Sequence, residues 1–168
     1  PNPVSDSWTV SFVQGGPQLP ASITVDSLGS WTDFVGDEYK AFSGTAVYTT
    51  TINKVPVADV IKLDLGSVAE NASVYLNGDY IGTVIDSPYQ LYIPAEKFKG
   101  QDELVVRVAN SMANRIAYMD KKGVDWKIFY NVNMSARKKE NVKNGIFDAS
   151  DWEPKSSGLL GPVTLTPA

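Results

Sequence analysis

Apolar and polar residues alternate with a period of two along much of the chain. In Ile61-Lys62-Leu63-Asp64-Leu65 the three aliphatic residues fall on one face and the two charges on the other. Leu104, Val106 and Val108 share a face with Arg107 opposite, and Val74 and Leu76 alternate with Ser73 and Tyr75. Trp8 to Val13, the β-branched run 46–52 (AVYTTTI) and a segment near Pro162 to Thr166 complete the predicted strands. Turn residues separate these runs. A period of two with one wet face predicts antiparallel sheets, and several short strands of this kind predict a sandwich.

The stretch 71–85 (NASVYLNGDYIGTVI) breaks its alternation at Asn77-Gly78. A type I′ turn needs positive φ at both central residues, and Asn-Gly supplies it at low cost. The turn predicts a hairpin with Val74, Leu76 and alternate members of the run from Tyr80 to Ile85 pointing inward. Its register is set because a slip of one residue would move the apolar set into water.

The region from Asn110 to Ser157 reads differently. Met112, Ile116 and Met119 stand at helical spacing, Gly123 is placed to end a helix, and Asn110 or Ser111 could cap its start. This predicts one short helix within a long connection. The aromatic run 123–134, the basic stretch 136–143 and the segment 146–158 come after it. Connections of this length with few regular elements are usually functional.

Composition narrows the chemistry. At 168 residues the chain is read as one domain, 1–168, large enough to bury a core. A net charge of −4 argues against general nucleic-acid binding. No apolar run is long enough to cross a bilayer as a helix, so no membrane partner is expected. With no cysteine there is no disulfide and no thiolate metal site; with no histidine there is no Ser-His-Asp triad and no His-ligated zinc. The chain opens at Pro1 rather than methionine, which fits a processed or excised chain and leaves export open.

Three segments carry a family resemblance. The hairpin 74–84 (VYLNGDYIGTV), then 87–94 (SPYQLYIP), then 102–110 (DELVVRVAN) resemble the sugar-binding β-sandwich of family 2 glycoside hydrolases, a galactose-binding-domain-like jelly roll. The segments 112–120 (MANRIAYMD), 124–133 (VDWKIFYNVN) and 157–167 (SGLLGPVTLTP) are similar to the C-terminal β-sandwich of family 106 glycoside hydrolases, the α-L-rhamnosidase-like enzymes. The resemblance covers about residues 42 to 166. It implies an all-β, antiparallel jelly-roll sandwich serving as an accessory module of a large bacterial enzyme, periplasmic or extracellular, that degrades plant or algal polysaccharide. The implied partners are a carbohydrate and the catalytic barrel of the parent enzyme. A barrel of that kind needs about 250 residues and βα alternation, so catalysis by this chain alone is not expected. No cofactor is expected; the class often carries a structural calcium, for which oxygen ligands would be required. No EF-hand spacing occurs, and the metal ligands are left unassigned.

The candidate carbohydrate-binding residues lie in the long connection. Trp126, Tyr130 and Trp152 offer faces for the C–H side of a pyranose, while Arg115, Asn114 and Asp125 offer planar polar groups for its hydroxyls. The resemblance to family 2 adds Asp148 and Asp151, since the loop before the closing strand in that family can reach a neighbouring catalytic site. Each candidate has a plainer reading. Ile128, Phe129, Met134 and Phe147 could form a satellite core with the tryptophans as its lid. Asp148 and Asp151 could serve as turn residues; as a carboxylate pair they would need a separation of about 5 Å for a retaining glycosidase, and more for an inverting one. Arg137, Lys138, Lys139 and Lys143 suit an acidic sugar or a solvated loop. Trp31 is a second rim candidate. Three roles therefore stand open: a binding module, a structural domain packed on the barrel, and a small glycosidase in its own right.

Overall fold

The computed structural model describes residues 2–5, 7–34, 36–69, 71–110, 142–143, 146–147 and 156–168. Among them, fourteen strands run in chain order: β1 (Asn2–Pro3), β2 (Trp8–Gly16), β3 (Ile23–Val25), β4 (Ser43–Ile52), β5 (Val60–Asp64), β6 (Ser67–Ala69), β7 (Asn71–Leu76), β8 (Asp79–Val84), β9 (Gln90–Pro94), β10 (Asp102–Ala109), β11 (Val142–Lys143), β12 (Ile146–Phe147), β13 (Gly158–Gly161) and β14 (Thr164–Pro167). One sheet has the order β3-β2-β4-β10-β7-β8 and another β1-β14-β5-β9, while β13-β6 and β11-β12 form two-stranded ladders. Each of these strand pairs is antiparallel. The two larger sheets contribute to one core, which joins Val10, Tyr48, Val74 and Val106 of the first to Ile61, Leu63, Ile93 and Leu165 of the second. The predicted all-β antiparallel sandwich is thus the observed architecture.

The alternation reads through to burial where a strand lies mid-sheet. Leu104, Val106 and Val108 on β10 are fully buried, and Arg107 is exposed. Ile61 and Leu63 on β5 are buried, as is Leu65 just beyond it, with Lys62 and Asp64 between them half-exposed. β10 lies between β4 and β7, in the interior of its sheet.

The Asn-Gly turn has the expected geometry, with φ of 52° at Asn77 and 86° at Gly78. Asn77 also does more than turn. Its Oδ1 accepts from the Glu103 amide at 2.9 Å and its Nδ2 donates to Asp102 Oδ1 at 2.7 Å. Asp102 is fully buried and also accepts from the Lys99 and Gly100 amides at 2.7 and 3.3 Å. One carboxylate thereby ties the β7–β8 turn to the entry of β10, its negative charge satisfied by three donors.

On β8 the structure corrects the expectation of a regular inward set. The register shifts between Val74 and Tyr75, so Tyr80 stands opposite Tyr75 and is 59% exposed, and Ile85 beyond the strand is 76% exposed. Val84, paired with Ala72, is the buried residue of that strand. A bulge in an edge strand inserts one unpaired residue and reverses the facing of the residues beyond it. Two further differences concern extent. The first long strand continues to Gly16, and the last begins at Thr164 rather than near Pro162.

A short α-helix spans Asp37–Ala41, and 3₁₀ turns span Trp31–Asp33 and Ala95–Lys97. None was visible in the pattern, because five or three residues are too few to show a helical period. The helix predicted around residues 112–119 lies outside the described residues. Trp31, a candidate for the rim with a structural role as its alternative, is fully buried. It packs edge-to-face on Phe12 and Phe42 at ring-centroid distances of 5.6 and 5.4 Å. Phe12 also meets Phe42 at 4.9 Å and Tyr39 at 5.5 Å, and Phe34 meets Tyr39 at 5.5 Å. Each such pair contributes about 0.5–1.5 kcal/mol beyond simple burial. The cluster is part of the core.

Candidate functional site

The long connection leaves β10 at Asn110 and rejoins the fold at Ser157, and these two residues are hydrogen-bonded to each other. Asn110 Nδ2 donates to Ser157 Oγ at 3.0 Å and to the Phe42 carbonyl at 3.2 Å. Its Oδ1 accepts from the Gly44 amide at 2.8 Å, and its own amide donates to the Gly44 carbonyl at 3.0 Å. Asn110 therefore continues the β10–β4 ladder with its side chain as well as its backbone. That side chain had been a candidate helix cap; the structure commits its oxygen to Gly44.

Ser157 is fixed from the other side. Its amide donates to Ser30 Oγ at 2.9 Å, and its carbonyl accepts from the Trp31 amide at 3.1 Å. Ser30 Oγ is 2.6 Å from Thr32 Oγ1, and all three residues are buried. The entry and exit of the connection thus sit on one platform made from the 30–32 turn, Phe42–Gly44 and the start of β13.

Beneath the platform the packing leaves no room for a side chain at position 158. Gly158 has φ of 94°, and a Cβ there would collide with the Tyr48 hydroxyl and approach Trp31 Cε3 to 2.8 Å. Trp31 Nε1 and Tyr48 Oη are buried without a hydrogen-bond partner among the described residues. The Leu159 backbone approaches the Tyr48 hydroxyl but falls short of hydrogen-bonding geometry. Burial consequently holds the phenol well above its usual ionisation range, an effect that the Leu159 backbone offsets only in part.

The eight residues singled out for carbohydrate binding, Asn114, Arg115, Asp125, Trp126, Tyr130, Asp148, Asp151 and Trp152, all lie outside the described residues, as do the satellite-core candidates Ile128, Phe129 and Met134. Phe147 is on β12, which pairs with β11. The structure therefore places the two ends from which the candidates depart. Among the described residues no group of three or more acidic side chains is placed to hold a metal ion, and no helix is long and apolar enough to cross a membrane. Asn110 was the platform residue hardest to see. Its signal was an amide directly after an alternating strand, in the Val-x-Val-x-Asn ending of β10.

A depression of ≈330 Å³ is lined by Ser5, Trp8, Asp26, Leu28, Leu160 and Pro162 among others. Its walls are mostly apolar, and Trp8 is almost wholly buried.

No family model matches the chain. Single proteins do. Over 97% of its length it superposes on part of a rhamnosidase from Novosphingobium sp. PP1Y, with a TM-score of 0.72 and 29% identity. Over 98% of its length it is 32% identical to a protein of Formosa agariphila described as a beta-glucuronidase. The chain is a β-sandwich module similar to a part of each of these two glycoside hydrolases. Its resemblance to the family 2 sandwich holds at the level of fold: 65% of the module matches a GH2 beta-galacturonidase from Eisenbergiella tayi with a TM-score of 0.52 and 20% identity. The module spans 16% of the length of the Formosa protein and 14% of the rhamnosidase chain.

Proposed function

We propose that this module is a non-catalytic accessory domain of a polysaccharide-degrading enzyme and that it meets carbohydrate through the connection between β10 and β13. The observation that carries the reading is the Asn110–Ser157 clamp on its buried aromatic base. A recognition loop needs its ends fixed, because ordering a free segment on binding costs about 1–2 kcal/mol per residue. The clamp meets that cost during folding at both ends of the segment that holds Trp126, Tyr130 and Trp152. The relatives favour glycans containing rhamnose or a uronic acid as the ligand class. The parent protein's catalytic carboxylates would then reside on another domain, in keeping with the small share of each relative that the module spans.

Isothermal titration with rhamnose-, galactose- and uronate-containing oligosaccharides tests this. Binding that weakens at least about tenfold, or 1.4 kcal/mol, in Trp126→Ala or Trp152→Ala is the expected result. Silence across all three glycan classes would leave the module a packing domain for the catalytic barrel. Release of sugar from aryl glycosides by the pure chain, lost in Asp148→Asn or Asp151→Asn, would make it an enzyme instead.

A further inference from the structure

The outer face of the β14-β5-β9 sheet bears a second feature. A shallow cavity of ≈320 Å³ is lined by Lys62, Asp64, Gly66, Pro162, Thr164 and Thr166. That volume is at the small end of sites that take small molecules. The ladders set its side chains in two rows: Thr166, Lys62 and Tyr92 across one, Thr164, Asp64 and Gln90 across the other. Directly opposed residues in an antiparallel pair have Cβ atoms about 5 Å apart, so each row spans about 10 Å, the width of one sugar ring with its hydroxyls.

The chemistry of the two rows is complementary to such a ring. Asp64 is held by both oxygens: Oδ1 accepts from the Gly66 amide at 2.8 Å and Oδ2 from Gln90 Nε2 at 3.0 Å. Its carboxylate is thus fixed in place, with a lone pair on each oxygen left for a hydroxyl. Lys62 makes no ion pair among the described residues and carries three donors, and Thr164 and Thr166 each add a group able to donate and accept. Tyr92, opposite Lys62, is 62% exposed on a strand whose inward Ile93 is buried. An exposed ring beside a fixed carboxylate, an ammonium and two hydroxyls is amphiphilic as a pyranose is, with C–H groups on one side and hydroxyls around its rim. An apolar partner would desolvate the Lys62 ammonium, which has no ion pair among the described residues, without compensation.

We propose that this shelf is a second glycan-contact site that takes a single pyranose unit, with Tyr92 against its C–H face and Lys62 and Asp64 on adjacent hydroxyls. It does not depend on the β10–β13 connection binding anything. The test is a ¹H–¹⁵N NMR titration of the full chain with methyl galactoside, methyl rhamnoside and galacturonic acid, each to about 50 mM, since single-ring sites bind in the millimolar range. Saturable shifts at Lys62, Asp64, Tyr92 and Thr164 are expected with at least one probe. Lys62→Ala and Tyr92→Ala should each weaken binding at least about fivefold while retaining the dispersed spectrum of the folded chain, and Trp126→Ala should leave these shifts unchanged. No saturable shift at these four amides with any probe would overturn the proposal, as would unchanged affinity in both shelf variants. Shifts lost only in Trp126→Ala would do the same and would leave the loop site standing.

Discussion

Replacing Asn110 by alanine should be among the most damaging single changes at the edge of this fold. Alanine deletes three side-chain hydrogen bonds, to Gly44, Phe42 and Ser157. Each contributes about 1 kcal/mol net. Phe42 is fully buried, so its carbonyl loses a donor that water cannot readily replace. The expected loss is about 3 kcal/mol, a large share of the roughly 5–15 kcal/mol typical of a domain. Urea unfolding followed by tryptophan fluorescence measures it as a lower midpoint with an unchanged slope. Asn110→Asp sharpens the argument. It keeps the acceptor for Gly44 but turns a second oxygen toward the Phe42 carbonyl, so at neutral pH it should be no better than alanine. The facing carbonyl and partial burial would raise the new carboxyl's pKa above its unfolded value. Protonation supplies a donor again, so the stability of this variant relative to the parent chain should recover as pH falls through that raised value. A loss below about 0.5 kcal/mol in Asn110→Ala, within the range of ordinary surface changes, would refute the claim that this amide clamps the connection.

Gly158→Ala should cost at least about 3 kcal/mol, adding a strained positive φ to overpacking against Tyr48 and Trp31; thermal unfolding reads it, and Tyr48→Phe in the same chain should recover part of the loss. Tyr48→Phe alone should be neutral or stabilise by about 1 kcal/mol, because it removes a buried hydroxyl that lacks a partner among the described residues. It should also alter the alkaline limb. The Tyr48 phenol is held above its ordinary value of 10.0, so above that pH the unfolded state loses a proton that the native state keeps, and native stability falls as pH rises. Between about pH 10 and 11 that contribution is about 1 kcal/mol, and denaturant titrations should show it missing in Tyr48→Phe. Asp102→Ala should cost about 3 kcal/mol in urea unfolding, since it leaves the Lys99 and Gly100 amides and Asn77 Nδ2 without their acceptor.

The chain alone made legible whatever repeats locally. Leu104-Val105-Val106-Arg107-Val108 states in five residues which side faces the core, because adjacent side chains on a strand point to opposite faces. Asn77-Gly78 states its own turn type, because two consecutive positive φ values are costly for most other pairs. The resemblance to glycoside-hydrolase sandwiches was also legible, carried by segments such as 74–84 and 102–110. The bulge on β8 was not, since nothing in Tyr80-Ile81-Gly82 says which residue goes unpaired. Nor was the burial of Trp31: a tryptophan between a glycine-rich turn and an acidic segment reads equally well as a rim, and only Phe12 and Phe42, brought from elsewhere in the chain, decide for the core. The platform depends on the same kind of long-range meeting. Ser30, Phe42, Asn110 and Ser157 are scattered over most of the sequence, and their hydrogen bonds exist only where the fold brings those distant segments together. Periodicity is a property of neighbours along the chain, so the sequence determines faces and turns. A site is a property of neighbours in space, and the tertiary fold alone chooses them.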